Sequence, residues 1–142
     1  MSTIAGLSTY AQAALLNYFR GTPFPAVPAN LYMALFTTAP GNGAAGTEVT
    51  AAAAPTYARL AIVPATSFGA PSASAGVSTI ANAVNLTLAA MGNSTSISVV
   101  GWGLYDAATG GNLWVYGPLT STALAATDTA QFTIGNLTVS AR

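Results

Sequence analysis

Leu31-Tyr32-Met33-Ala34-Leu35-Phe36-Thr37 carries apolar side chains at odd and even positions alike. Successive side chains of a strand point to opposite faces, so this run suits a strand covered on both sides, in the middle of a sandwich. Further runs follow it at short spacing: Tyr57 to Val63, Thr79 to Leu88, Ile97 to Tyr105, Asn112 to Tyr116, and Ala130 to Val139, the last broken by Gly135-Asn136. Between two of them, Asp106-Ala107-Ala108-Thr109-Gly110-Gly111 is a hairpin turn whose glycines can take positive φ. The expected fold is mainly β, an antiparallel β-sandwich of jelly-roll kind with one short N-terminal helix.

That helix is expected within Leu7 to Arg20. Ser8 or Thr9 can cap it, Ala11, Ala14, Leu15, Tyr18 and Phe19 recur at helical spacing, and Gly21 stands where a helix stops. Three prolines between Gly21 and Pro28 forbid its continuation and give an extended connector. Residues 1–30 therefore read as an arm, helix and connector, and residues 31–142 as a sandwich domain with a long loop at about 39–56. The loop holds Pro40-Gly41-Asn42-Gly43 and Ala51 to Pro55, turn chemistry with few large side chains. It is either a contact loop that orders against a partner or a solvated excursion.

Composition bounds the function. Three arginines, three acids and no lysine, histidine or cysteine make 4% charge in 142 residues, where soluble domains carry about 25%. With 52% hydrophobic residues and zero net charge, little repulsion keeps copies apart, which favours an assembly subunit over a freely diffusing monomer. Without a basic field there is nothing to displace phosphate counterions, so no nucleic-acid partner is expected. No membrane partner is expected either, because Ser, Thr, Asn, Gly and Pro interrupt every apolar run well short of the ~20 residues of a spanning helix. The start of the chain lacks the basic n-region of a secretion signal, so synthesis in the cytoplasm without processing is expected.

Catalytic chemistry finds no purchase. Without His or Lys there is no common base to activate a Ser or Thr, and Glu48, Asp106 and Asp128 form no recognisable carboxylate pair or metal pattern. No enzyme, cofactor or metal is expected. Gly101-Trp102-Gly103 precedes no helix and is not a nucleotide loop; its glycines are expected to admit a backbone or a ring. Trp102 and Trp114, on neighbouring strands, read as core or interface packing or as an aromatic surface for sugar. Arg59 is expected to pair with Glu48 or Asp106, either locking the long loop to the sheet or gripping a partner.

The stretch Leu31 to Gly41, then Gly46-Thr-Glu-Val49, Tyr57-Ala-Arg59, and Gly101-Trp-Gly-Leu-Tyr-Asp-Ala-Ala-Thr-Gly-Gly-Asn-Leu-Trp-Val-Tyr-Gly-Pro-Leu119 resembles a family of small tailed-phage virion proteins of decoration or tail-fibre type. Ala54-Pro55-Thr56 departs from the glycine-rich approach to Tyr57 common in that family. The size and scarcity of charge are similar to jelly-roll capsid cement proteins such as that of the Bordetella short-tailed phage. The resemblance implies a homo-oligomer, a homodimer or another small assembly. It would sit on the outer capsid surface of an HK97-like shell, bind the major capsid protein and bridge capsomers; the alternative is a tail fibre, spike or baseplate subunit for host attachment. In either setting Leu7, Tyr18, Phe19, Phe24, Asn42 and Glu48 are the expected partner contacts, and Arg59 and Asp106 the expected loop anchors.

Overall fold

The computed structural model describes residues 6–41, 44–93 and 95–141. In chain order these form β1 (Gly6–Leu7), α1 (Thr9–Phe19), β2 (Leu31–Thr38), β3 (Thr47–Glu48), β4 (Leu60–Ile62), α2 (Pro64–Ser67), β5 (Ser72–Ser74), β6 (Val77–Ala81), β7 (Leu86–Thr87), β8 (Ile97–Tyr105), β9 (Leu113–Leu124), β10 (Gln131–Phe132) and β11 (Thr138–Ala141). The protein is mainly β, with antiparallel sheets and a short N-terminal helix.

The two-sided apolar run at Leu31 becomes the centre of the largest sheet. That sheet has six strands in the order β1-β9-β8-β2-β3, with β4 also paired to β2, while β11-β6-β5 and β10-β7 form smaller sheets. Met33 and Leu35 point into the core with Ile62, Val99, Trp102 and Leu104 of the same sheet and with Leu86, Leu88, Met91 and Leu137 from the other side. Ala34 and Phe36, on the opposite face of β2, are buried as well. The sandwich is lopsided, one broad sheet closed by two narrow ones.

Two glycines make the broad sheet possible. Trp102 lies opposite Gly117 in the β8–β9 ladder, and a Cβ at Gly117 would stand 2.8 Å from the indole. On the other face, a Cβ at Gly103 would come within 2.9 Å of the Phe36 ring. A side chain at either position would displace an aromatic ring from a close-packed site. The small sheets are joined by the buried Asn82, whose amide donates to the carbonyls of Val84, Phe132 and Thr133 and accepts from the Leu137 N–H. Every hydrogen-bonding direction of that amide but one is thus used inside the fold.

Several elements differ from the sequence reading. The expected strand at Tyr57 to Val63 is cut to β4, because Tyr57 and Arg59 serve a polar cluster and Pro64 opens α2. The run from Thr79 splits into β6 and β7 at Asn82. The strand expected to end at Tyr116 continues through Gly117-Pro118 to Leu124; β1 pairs with Val115 and Tyr116, and Pro118 lies just beyond. The hairpin β5–β6 turns through Ala75 and Gly76, both at positive φ, a pair that the sequence reading passed over. Half of the loop at 39–56 folds onto its own domain, since β3 pairs with β2 and Val49 and Ala54 are buried.

Candidate functional site

Two surfaces gather the residues singled out in the sequence. One is a polar corner over the end of the broad sheet. Arg59 reaches Glu48 with two parallel bonds, Nε to Oε1 at 2.9 Å and Nη2 to Oε2 at 2.7 Å. Its Nη1 donates to the carbonyls of Ala107 and Gly110, both at 2.8 Å, and its guanidinium carbon sits 3.6 Å from the centroid of the Tyr105 ring. Tyr57 donates its hydroxyl to Glu48 Oε1 and accepts the Leu35 N–H, each at 3.0 Å. The planar fork of arginine is thereby spent on a carboxylate, a turn and a ring at once.

Electrostatics follow this geometry. Glu48 raises the Arg59 pKa further above its ordinary value, against burial, which opposes it. Burial, supported by the charge of Glu48, pushes the Tyr57 hydroxyl well above the usual tyrosine range despite the Leu35 N–H and Arg59, which pull it down. Tyr105 moves the same way, again through burial and then Glu48, with Arg59 opposing. Cation and phenols all keep their protons at neutral pH, and the Glu48 carboxylate is taken up by Arg59 and Tyr57.

Asp106 does not pair with Arg59. It accepts from the Asn112 N–H at 2.7 Å, the Asn112 amide at 2.9 Å and Trp114 Nε1 at 3.3 Å, closing the β8–β9 turn on itself. Its burial works to raise the carboxyl pKa, and these bonds outweigh it, so the group sits below the usual carboxylate value. Arg59 grips the same turn through backbone carbonyls. Among the described residues no group of three His, Cys, Asp or Glu side chains could hold a metal ion.

The second surface is the N-terminal unit. Ser8 caps α1, its hydroxyl accepting from the Ala11 N–H and donating to the Leu113 carbonyl, and its own N–H reaches the Trp114 carbonyl. The ring of Tyr10 meets that of Trp114 edge-on at 5.1 Å. These contacts tie the first turn of α1 to β9, and Ala11 is the one buried residue of the helix. Leu15, Leu16, Tyr18 and Phe19 face outward, with Phe19 77% and Leu16 66% exposed. Helical spacing alone predicts a buried face here; the helix is apolar around most of its girth, so no single face claims the core.

The connector continues this surface. Phe24 rests against Tyr18, ring centroids 5.7 Å apart, and Val27 is 83% exposed. Residues 24–28 form one wall of a groove of about 480 Å³ whose other walls include Leu31, Phe68, Ile80, Leu104, Val115 and Val139. The groove is lined almost wholly by carbon and opens at the end of the core between the broad sheet and β6–β11.

The residues expected as partner contacts divide between these surfaces. Tyr18, Phe19 and Phe24 lie together on the exposed N-terminal surface, whereas Leu7 is half-buried in β1. Glu48 is engaged by Arg59 and Tyr57 inside the polar corner. Asn42 lies outside the described residues. Trp102 is fully buried in the core, and Trp114 is half-covered by Tyr10 and bonded to Asp106, so the two indoles form no joint sugar platform. Leu15, Leu16 and Val27 were passed over as contact residues. The doublets Leu15-Leu16 and Tyr18-Phe19 carried the signal, because they spread large apolar side chains over an arc wider than the ordinary stripe of about 100°.

Comparison with known proteins gives one family. The family described as podophage GP4 fiber I protein gp80 matches residues 6–140. No curated protein matches the chain.

Proposed function

This chain belongs to the podophage GP4 fiber I protein gp80 family, and we propose that it is a fibre subunit of a short-tailed phage particle. It is a structural protein of the virion. Its work is adhesion and not catalysis, carried by a rigid β-sandwich that positions the N-terminal unit. The observation that carries this reading is the uncovered apolar surface of α1 and the connector, on a chain with almost no charge to keep copies apart. Apolar burial contributes about 25 cal/mol per Å² and needs no costly desolvation of ions, so such a surface suits permanent assembly. Nucleic acid and membrane have no part in this role.

A second reading places the chain on the outer capsid surface, as a cement subunit that binds the major capsid protein and bridges capsomers. The same charge-poor surface supports it, because contacts across capsomer boundaries would reinforce a shell filled with DNA. Stoichiometry separates the two. The chain is quantified by mass spectrometry against the major capsid protein in purified particles, before and after the tails are removed. A fibre subunit is present at low copy number and leaves with the tails. Near-capsid abundance retained on tailless heads would replace the fibre reading by the cement one.

A further inference from the structure

We propose that the apolar groove beside the connector is filled by α1 of a second copy of this chain, so that the protein assembles by helix-to-groove contacts between copies. The inference deepens the fibre reading and rests on it for its setting in the particle.

The chain carries both halves of the contact. On one side stand Leu15, Leu16 and Phe19, large side chains left 41%, 66% and 77% exposed. On the other is the groove of about 480 Å³ between Phe24 and Val27 of the connector and Leu31, Phe68, Ile80 and Val139 of the sandwich. Small-molecule sites place a few polar groups among apolar walls to orient their ligand. This groove has almost none, which fits it to side chains delivered on a folded element.

Area and charge agree with that occupant. Taking a fully exposed large apolar side chain at roughly 150–250 Å², the exposed parts of Leu15, Leu16, Tyr18 and Phe19 on the helix half offer on the order of 400–600 Å². A stable interface buries about 800 Å² on each partner, so these four side chains supply the larger part of one side and the neighbouring small and polar residues of α1 supply the rest. Residues 6 to 30 carry one charge, Arg20, whose guanidinium donates to Asn17 Oδ1 on its own helix. Insertion of a helix into a groove brings different surfaces together, which keeps the two Arg20 side chains apart. Such a head-to-tail contact closes into a ring when its rotation permits.

The test uses the full-length chain in solution, with mass read by light scattering and sedimentation. The wild-type protein is expected to be a discrete oligomer. Leu16→Asp/Phe19→Asp removes the helix half, and Val27→Asp spoils the groove half. Each change should weaken association by about 100-fold or more. All three positions are exposed, so the circular dichroism spectrum and melting curve should stay as in the wild type; Leu16→Ser/Phe19→Ser serves as the helix variant should the aspartates disturb α1. An equimolar mixture of the helix and groove variants should recover a 1:1 pair, because one supplies an intact groove and the other an intact helix. A mixture that stays monomeric would overturn the helix-to-groove assignment. A wild-type chain that is monomeric up to about 100 µM would overturn self-association altogether and leave the face to another virion protein. Neither result alters the particle stoichiometry, which tests the fibre reading separately.

Discussion

The polar corner and the N-terminal unit lie on one small domain and treat their side chains in opposite ways. At the corner two of the few charges in the chain meet, and almost every bond they can make is made within the domain: two to the carboxylate, two to the turn, one from a phenol and a ring beneath. In the N-terminal unit six large apolar side chains, Leu15, Leu16, Tyr18, Phe19, Phe24 and Val27, stand exposed. A charge left unpaired in a low dielectric is costly, so folding settles the corner. An exposed apolar side chain costs the folded monomer little, and its gain waits for a partner. What looks like recognition chemistry is therefore architecture, and what looks like core stands exposed, where the proposed assembly would use it.

The sharpest way to break this comparison is Glu48→Gln. It leaves the Arg59 guanidinium, on a side chain 8% exposed, without its counter-charge and should cost about 2–4 kcal/mol in urea unfolding. The oligomeric state of the folded fraction should not change. Unaltered stability would mean that the corner is held by its backbone bonds alone. Altered assembly with normal stability would turn Glu48 into an interface residue and erase the contrast between the two regions.

Ser8→Ala probes the seam between them. It removes the cap of α1 and the bond to the Leu113 carbonyl, with an expected loss of about 1 kcal/mol. Because the first turn is also the part tied to β9, hydrogen exchange should accelerate across Thr9 to Phe19 while β2 and β8 keep their protection. Exchange accelerating equally in the broad sheet would show that the N-terminal unit and sandwich unfold as one.

The broad sheet was legible because burial on both sides of Leu31 to Thr37 leaves a two-sided apolar run, and Ile97 to Tyr105 is bounded as the sequence suggested. The N-cap was legible to within Ser8 or Thr9, since capping is local chemistry, and the structure selects Ser8. The narrow sheets were less so: Ser72 to Ser74 is a strand without large side chains, recruited by the Ala75-Gly76 turn and by the neighbouring strand. At the candidate site the pairing of Arg59 stood open between Glu48 and Asp106. Only the fold, which brings β3 across β2 and sends Asp106 back onto Asn112, decides it. The outward face of α1 was legible in part: Tyr18 and Phe19 stand among the expected contacts and Leu15 and Leu16 do not, because spacing shows which residues could share a face and says nothing of whether the domain has room to cover it.

The smallest expected effect is an acid one at Asp106, whose turn joins the two regions: Arg59 holds the backbone of the turn, and Trp114, bonded to Asp106, packs against Tyr10 of α1. Its carboxyl titrates below the usual value of about 3.9, so the stability it adds is present above that value and is lost as the pH falls through the lower, folded pKa. Part of that stability should therefore disappear as the pH falls below about 4, together with a change in Trp114 fluorescence. Asp106→Asn should flatten its share of this acid limb and lower stability at neutral pH by less than about 1 kcal/mol, because the carboxylate is partly solvated and screened. If the acid limb survives the substitution unchanged, Asp106 is not its source and the bonds it accepts from Asn112 and Trp114 do not carry the acid response. The turn would then be insulated from acid, and the Trp114–Tyr10 contact that ties α1 to it would be insulated as well.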